Sequence, residues 1–168
     1  MIMIRKAVKK DLSRIIEITK SCAAFMISQN IFQSNEHYPN IETFENDVQN
    51  ENLYVLELNQ KIIGCIVISS FMDDFYSKVK WTTPNDKNLY LHRLAIDPDY
   101  QKKGYAKQLM NFSFDFASKN NIVSIRLDTF SGNPYNNIFY AKLGFKKLGK
   151  IYFRKQSDKP FYCFEKIM

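Results

Sequence analysis

Hydrophobic positions recur along the chain with two periods, and each change of period marks an element. Residues 2–8 form a short apolar run that reads as a strand. Leu12, Ile15, Ile16, Thr19, Cys22, Ala23 and Met26 then recur at helical spacing behind Asp11, a residue suited to cap a helix start. Residues 34–40 carry Asn, His and Pro without periodicity and read as loop, and residues 41–48 predict a second short helix. Two β-rich runs, residues 53–58 and 61–71, flank Asn59 and Gln60, the pattern of a hairpin. Residues 73–88 hold Asp73, Asp74, Pro84, Asn85 and Asp86 among scattered aromatics; they read as an excursion between strands, and its length suggests a role over a site.

In the second half, residues 89–96 predict a strand, 97–101 a turn, and 104–119 a helix with Ala106, Leu109, Met110, Ser113 and Ala117 on one face. Residues 122–130 alternate. Val123, Ile125 and Leu127 point one way and Ser124, Arg126 and Asp128 the other, as in a half-buried strand. Asn133 caps the next helix, Pro134 occupies its first position, where a missing N–H costs nothing, and Gly144 closes it. Residues 145–153 and 161–167 read as closing strands. The order is βααβββαβαββ. With no repeat, low-complexity tract or linker, the expectation is one α+β domain over residues 1–168, with a mixed, mostly antiparallel central sheet flanked by helices.

Composition adds bounds. A chain of 168 residues, 45% hydrophobic, fills one core comfortably but not two. The net charge of +7 suits an anionic ligand, nucleic acid or mere solubility and does not choose among them. Cys22, Cys65 and Cys163 lie far apart without a CxxC pair or a neighbouring His, so they read as reduced core thiols and no metal site is expected. The apolar start meets Arg5 and Lys6 at once, unlike a signal peptide. The longest apolar stretch, residues 62–68, falls far short of the roughly 20 residues of a membrane span. The expectation is a soluble, cytoplasmic protein without a membrane partner.

The sharpest local signal is the polar, basic turn between the strand and helix of the second half. Unpaired N–H groups at a helix N-terminus converge on one spot and the helix dipole adds positive potential, so such a turn suits a pyrophosphate. Gly104 allows close approach, Ala106 leaves space, and Gln101, Lys102 and Lys103 add donors and charge at the rim. A plain glycine turn explains the same local pattern.

Leu91-His92-Arg93-Leu94-Ala95-Ile96-Asp97-Pro98 with Gln101-Lys102-Lys103-Gly104-Tyr105-Ala106 resembles motif A of the GNAT family of N-acetyltransferases, which writes the turn Q/R-x-x-G-x-G/A. Ala106 stands where many members have Gly. Asn133 followed by Phe139-Tyr140-Ala141-Lys142-Leu143-Gly144-Phe145 resembles the family's second cofactor segment, and the element order resembles its fold over essentially the whole chain. The resemblance implies direct transfer of an acetyl group from acetyl-CoA to a primary amine of a small molecule or protein. It implies the phosphates at residues 101–106, Tyr105 included, and the pantetheine arm lying along Leu94, Ala95 and Ile96 like an added strand. A bulge there would splay that strand from its neighbour and open the slot.

The chemistry needs a neutral amine, a stabilised carbonyl oxygen and a thiolate released protonated. The resemblance makes Tyr140 the acid, since the matching Tyr points at the cofactor sulfur, and gives Asn133 an amide contact with the cofactor besides its capping role. For the base, Asp128 competes with His92, which titrates near neutral pH and shares a strand face with Tyr90; solvent is the third option. Asp128 held by Arg126 or by a neighbouring strand as a surface ion pair is the plain structural reading. His37, in a loop, receives no role.

Asp73, Asp74 and Asp86 weakly favour a cationic acceptor such as a polyamine, an aminoglycoside or a protein terminus. Two other classes stand beside this reading. One is a basic nucleic-acid-binding module, motivated by Lys142, Lys146, Lys147, Lys150, Arg154, Lys155 and Lys159, which lack a reader motif. The other is a non-catalytic acetyl-CoA-binding domain, against which Tyr140 argues. An exposed final strand is a candidate for edge pairing into a homodimer.

Overall fold

A computed structural model describes residues 1–33 and 40–168. Its elements are β1 (Ile2–Lys6), α1 (Leu12–Ser28), α2 (Ile41–Gln49), β2 (Leu53–Leu58), β3 (Lys61–Ser69), β4 (Asn88–Ile96), α3 (Tyr105–Lys119), β5 (Ser124–Phe130), α4 (Pro134–Lys142), β6 (Lys146–Ile151) and β7 (Phe161–Ile167). This is the order βααβββαβαββ. His37 and the expected loop, Asn40 aside, lie outside the described residues.

Local chemistry sets the boundaries. Asn59 and Gln60 take φ of 49° and 68°, the left-handed pair that lets a two-residue turn follow strand twist, so β2 and β3 join directly. Asn40 accepts from Thr43 N at 3.0 Å to start α2, and Asn133 accepts from Asn136 N at 3.1 Å to start α4 behind Pro134. Asp11 departs from expectation. It precedes α1, but its carboxylate accepts from Val8 N at 2.8 Å and from Arg5 at 2.7 and 3.1 Å. It ties down the end of β1 because a charge-assisted bond to a guanidinium is stronger than one to a helix amide.

The strands form one seven-stranded sheet ordered β1-β2-β3-β4-β5-β7-β6. Every adjacent pair is antiparallel except β4 and β5. α1 and α2 cover one face, where Leu12, Ile15, Ile18 and Phe44 pack on Leu53, Val55 and Val67. α3 and α4 cover the other, where Leu109, Met110 and Tyr140 meet Ile66, Leu91, Leu127 and Phe164.

Two expectations need correction. β7 is not an edge strand: it lies between β5 and β6, and the edges are β1 and β6. Nor is β5 half-buried, since Arg126 on its polar side is 0% exposed. Residues 73–88 fold over that side. Arg126 donates to Glu165 Oε2 at 2.8 Å, Asn85 Oδ1 at 2.6 Å, Thr83 O at 2.6 Å and Tyr90 OH at 3.0 Å, and lies 4.6 Å from the Trp81 ring centroid. Alternation marks a polar face but not whether water or a polar segment covers it. Arg126 therefore pairs with Glu165 and not with Asp128.

Cys22, Cys65 and Cys163 are all free. Among the described residues no helix is long and apolar enough to cross a membrane, and no His, Cys, Asp and Glu cluster is placed to hold a metal ion.

Candidate active site

The parallel pairing of β4 with β5 covers only Asn88, Leu89 and Tyr90. β4 stays on β3 through Ile96, but between the pairs Val67–His92 and Cys65–Ala95 the single residue Ile66 faces both Arg93 and Leu94. That is a β-bulge, which bends the bulged strand and increases its twist. Arg93 sits at φ 53°, unusual for a side chain with a Cβ. Its guanidinium is held bidentately by Asp47 of α2, at 2.8 and 2.7 Å. Gly64 is needed opposite, because a Cβ there would lie 2.5 Å from Ile96 Cδ1 and 2.8 Å from Ala95 O.

Beyond the bulge β4 leaves β5, and a cleft of about 400 Å³ opens. Leu94, Ala95, His92, Asp128, Tyr140 and Asp73 line it, whereas Ile96, Asn133, Asp74 and Asp86 do not. The Ile96 carbonyl is already engaged, accepting from Gln101 Nε2 at 2.9 Å and Cys22 Sγ at 3.1 Å. Asn133 is buried, its amide oxygen spent on the α4 cap. Asn136, on the next turn and not anticipated, lines the cleft instead.

At the N-terminus of α3, Lys102 and Gly104 take φ of 61° and 86°. The N–H groups of residues 102–107 have no acceptor among the described residues. A Cβ on Gly104 would meet nothing within 4 Å. The turn is braced from below: Asp97 accepts from Asp99 N at 3.1 Å and forms an ion pair with Arg14 of α1. Free amides, open space and the helix dipole fit a pyrophosphate. Tyr105 and Ala106 pack their side chains on the main core, leaving their amides at the turn. The Gln101 side chain braces β4 through Ile96 O, and Lys103 Nζ donates to Asp99 O at 2.9 Å. Lys102 is exposed.

Tyr140 is 7% exposed and packs edge-on against Phe139 and Phe145. Its hydroxyl has no hydrogen-bond partner among the described residues, and no fully enclosed side-chain N or O there lacks one, so the hydroxyl opens to the cleft. Burial, then the Asp128 charge, pushes its pKa above the ordinary 10, keeping it a proton donor.

Asp128 accepts from Tyr76 OH at 2.5 Å through Oδ2, while Oδ1 has no partner among the described residues. Burial pushes its pKa up to about 6, against the pull of the Tyr76 hydrogen bond. His92 stacks 6.3 Å from the Tyr76 ring and is pushed down to about 4 by burial and then by Arg93. It is uncharged at neutral pH and a weaker base than Asp128. Sequence reasoning missed Tyr76, one aromatic among several in an aperiodic segment, and the Asp47–Arg93 pair, which joins residues far apart in the chain.

The model of the acetyltransferase (GNAT) family matches residues 13–145. Over 100 residues the chain is 29% identical to N-acetyltransferase 8 of Homo sapiens; the match takes in 60% of this chain but only 40% of that relative. Among solved structures it is similar to a candidate acetyltransferase from Staphylococcus aureus Mu50, with TM-score 0.77, 30% identity and 98% of each chain covered. It shares its fold with PaiA N-acetyltransferase from Thermoplasma acidophilum, solved in complex with coenzyme A, at TM-score 0.74 and 21% identity over 100% of this chain and 99% of that one.

Proposed function

The chain belongs to the acetyltransferase (GNAT) family, and from that premise we propose that it is an acetyl-CoA-dependent N-acetyltransferase acting on a primary amine by direct transfer. The observation that carries the reading is the pairing of two features on β4: the strand leaves β5 to open a cleft, and it ends in a turn whose amides at residues 102–107 have no acceptor among the described residues. One suits the pantetheine arm and the other the phosphates. The coenzyme A bound to the Thermoplasma relative is consistent with that use of the fold.

Acetyl-CoA supplies the thioester: its C–S bond breaks as the C–N bond to the acceptor forms. Leu94 and Ala95 present β4 backbone along the cleft, and the α3 N-terminus holds the negative charge. Asp128 takes a proton from the incoming ammonium through Oδ1. A carboxylate with a pKa of about 6 is ionised at neutral pH yet basic enough to hold that proton. Tyr140 gives its hydroxyl proton to the departing thiolate and is restored by the second proton the nitrogen sheds as the amide forms. Asp73 and Asp128 make the acceptor end acidic, which favours a cationic amine. Of the basic residues near the C-terminus, Lys147 sits 4.2 Å over the Tyr162 ring and Arg154 5.4 Å over Tyr152.

A panel of cationic primary amines, assayed for CoA thiol release beside thermal unfolding with acetyl-CoA or duplex DNA, tests the reading. Expected are a rise in melting temperature with acetyl-CoA, none with DNA at physiological salt, and thiol release with at least one amine. A DNA-dependent rise with a steep salt slope and no response to acetyl-CoA would overturn it.

A further inference from the structure

Tyr76 lies in a short 3₁₀ turn, Asp74–Lys78, within the excursion between β3 and β4, and is 0% exposed. Its ring packs 5.7 Å from Tyr90 and 6.3 Å from His92, and its hydroxyl donates to Asp128 Oδ2 at 2.5 Å. The segment carrying it is fastened. Trp81 Nε1 donates to Tyr76 O at 3.0 Å, the Trp81 ring lies under Arg126, and Glu165 Oε1 accepts from Thr82 N at 2.7 Å. A buried ion pair between β5 and β7 thereby sets where the Tyr76 hydroxyl stands.

We propose that Tyr76 is a positioning residue for acetyl transfer: by holding Asp128 Oδ2 it fixes the carboxylate so that Oδ1 alone faces the acceptor amine. This rests on the reading of Asp128 as the base. A carboxylate with both oxygens free rotates about its Cβ–Cγ bond and spends time with neither aimed at the amine; one donor on one oxygen removes that freedom. The same bond favours the ionised form, so it keeps the base deprotonated at lower pH than burial alone would allow. The other groups around Asp128 do not replace it. Asp73 on the excursion acts in the opposite sense; Arg93 on β4, its guanidinium held by Asp47, favours the ionised form less than the Tyr76 bond does and gives Asp128 no hydrogen bond; and His92 is uncharged. Tyr140 on α4 and Cys163 on β7 are held protonated by burial. Burial and the Asp128 charge likewise raise the Tyr76 pKa well above 10, so it donates throughout the working range.

The test is the pH profile of kcat/KM for acetyl transfer in wild type, Tyr76→Phe, Asp128→Asn and the double variant. Asp128→Asn should lose the acid limb. Tyr76→Phe should lower the rate by roughly tenfold or more and move the limb to higher pH, so that its loss at pH 6 exceeds its loss at pH 9. In the Asp128→Asn background Tyr76→Phe should cost nothing further. If Tyr76→Phe does not fold, 3-fluorotyrosine at position 76, a stronger donor of the same shape, should move the limb to lower pH. A limb present in wild type and lost in Asp128→Asn, yet unmoved by either change at position 76, overturns the inference alone. Wild-type turnover with an intact limb in Asp128→Asn overturns the base assignment along with it.

Discussion

Asp128 shows what burying a carboxylate costs the protein that carries it. Its pKa is about 6 against an ordinary 3.8, so the folded state binds that proton more tightly than the unfolded chain does. The sign follows: the ionised carboxylate destabilises the fold above about pH 6, and the penalty fades as pH falls toward 4. That displacement corresponds to roughly 2–3 kcal/mol. Asp128→Asn keeps an oxygen to accept from Tyr76 and removes the charge. It should therefore be more stable than wild type by about that amount at pH 8 and no more stable near pH 4, as read by denaturant unfolding at both pH values. A stability difference independent of pH would mean that the carboxylate bears no such burial cost. Sequence alone placed Asp128 and His92 as rivals because residue type gives only their ordinary pKa values. Burial separates them, raising one and lowering the other, and burial is a tertiary property.

Among the elements, the legible ones were those whose cause is local. The Asn caps of α2 and α4, the two-residue turn at Asn59 and Gln60, and Gly104 at φ 86° each depend on a few neighbouring residues. The elements misjudged depend on distant partners. Asp11 is captured by Arg5, β5 is covered by residues 73–88, and β7 inserts between β5 and β6. The turn before α3 combines both kinds: its glycine and its amides are local, whereas the partners of Gln101 and Lys103, Ile96 O and Asp99 O, are set by the folded backbone. Substitutions at the two ends of α3 should differ in effect. Gly104→Asp places a carboxylate at the proposed phosphate site, in space no protein atom fills within 4 Å, at a strain cost of about 1–2 kcal/mol for the left-handed angle. Lys119→Asp, in the last turn, makes the larger change in net charge far from the turn. Calorimetric titration with acetyl-CoA should show at least about tenfold weaker binding for the first and a change within about twofold for the second. Equal losses would mean that the turn is not the phosphate cradle.

Over the whole molecule, the fold brings together a turn of free amides, an open strand edge and the side chains of Tyr140 and Asp128, which come from separate parts of the chain. The bulge held by Asp47 from α2 turns β4 away from β5. α4 carries Tyr140 to one wall of the resulting cleft, and β5 carries Asp128 to another, with Tyr76 fixing it from the excursion. Tyr140, His92 and Asp128 were nameable from sequence because they fall in or beside segments resembling the family's motifs. Tyr76 was not, because residues 73–88 carry no period and their placement depends on Arg126, buried beneath them. The central claim is that this cleft transfers acetyl groups with Tyr140 protonating the departing thiolate. The most direct measurement is CoA thiol release by Tyr140→Phe with an amine the wild type accepts, beside its acetyl-CoA affinity and melting temperature. Loss of turnover by roughly 10²- to 10⁴-fold, with affinity and melting temperature little changed, is the predicted result. A folded Tyr140→Phe enzyme that turns over as fast as wild type, under conditions where chemistry limits the wild-type rate, would contradict the account.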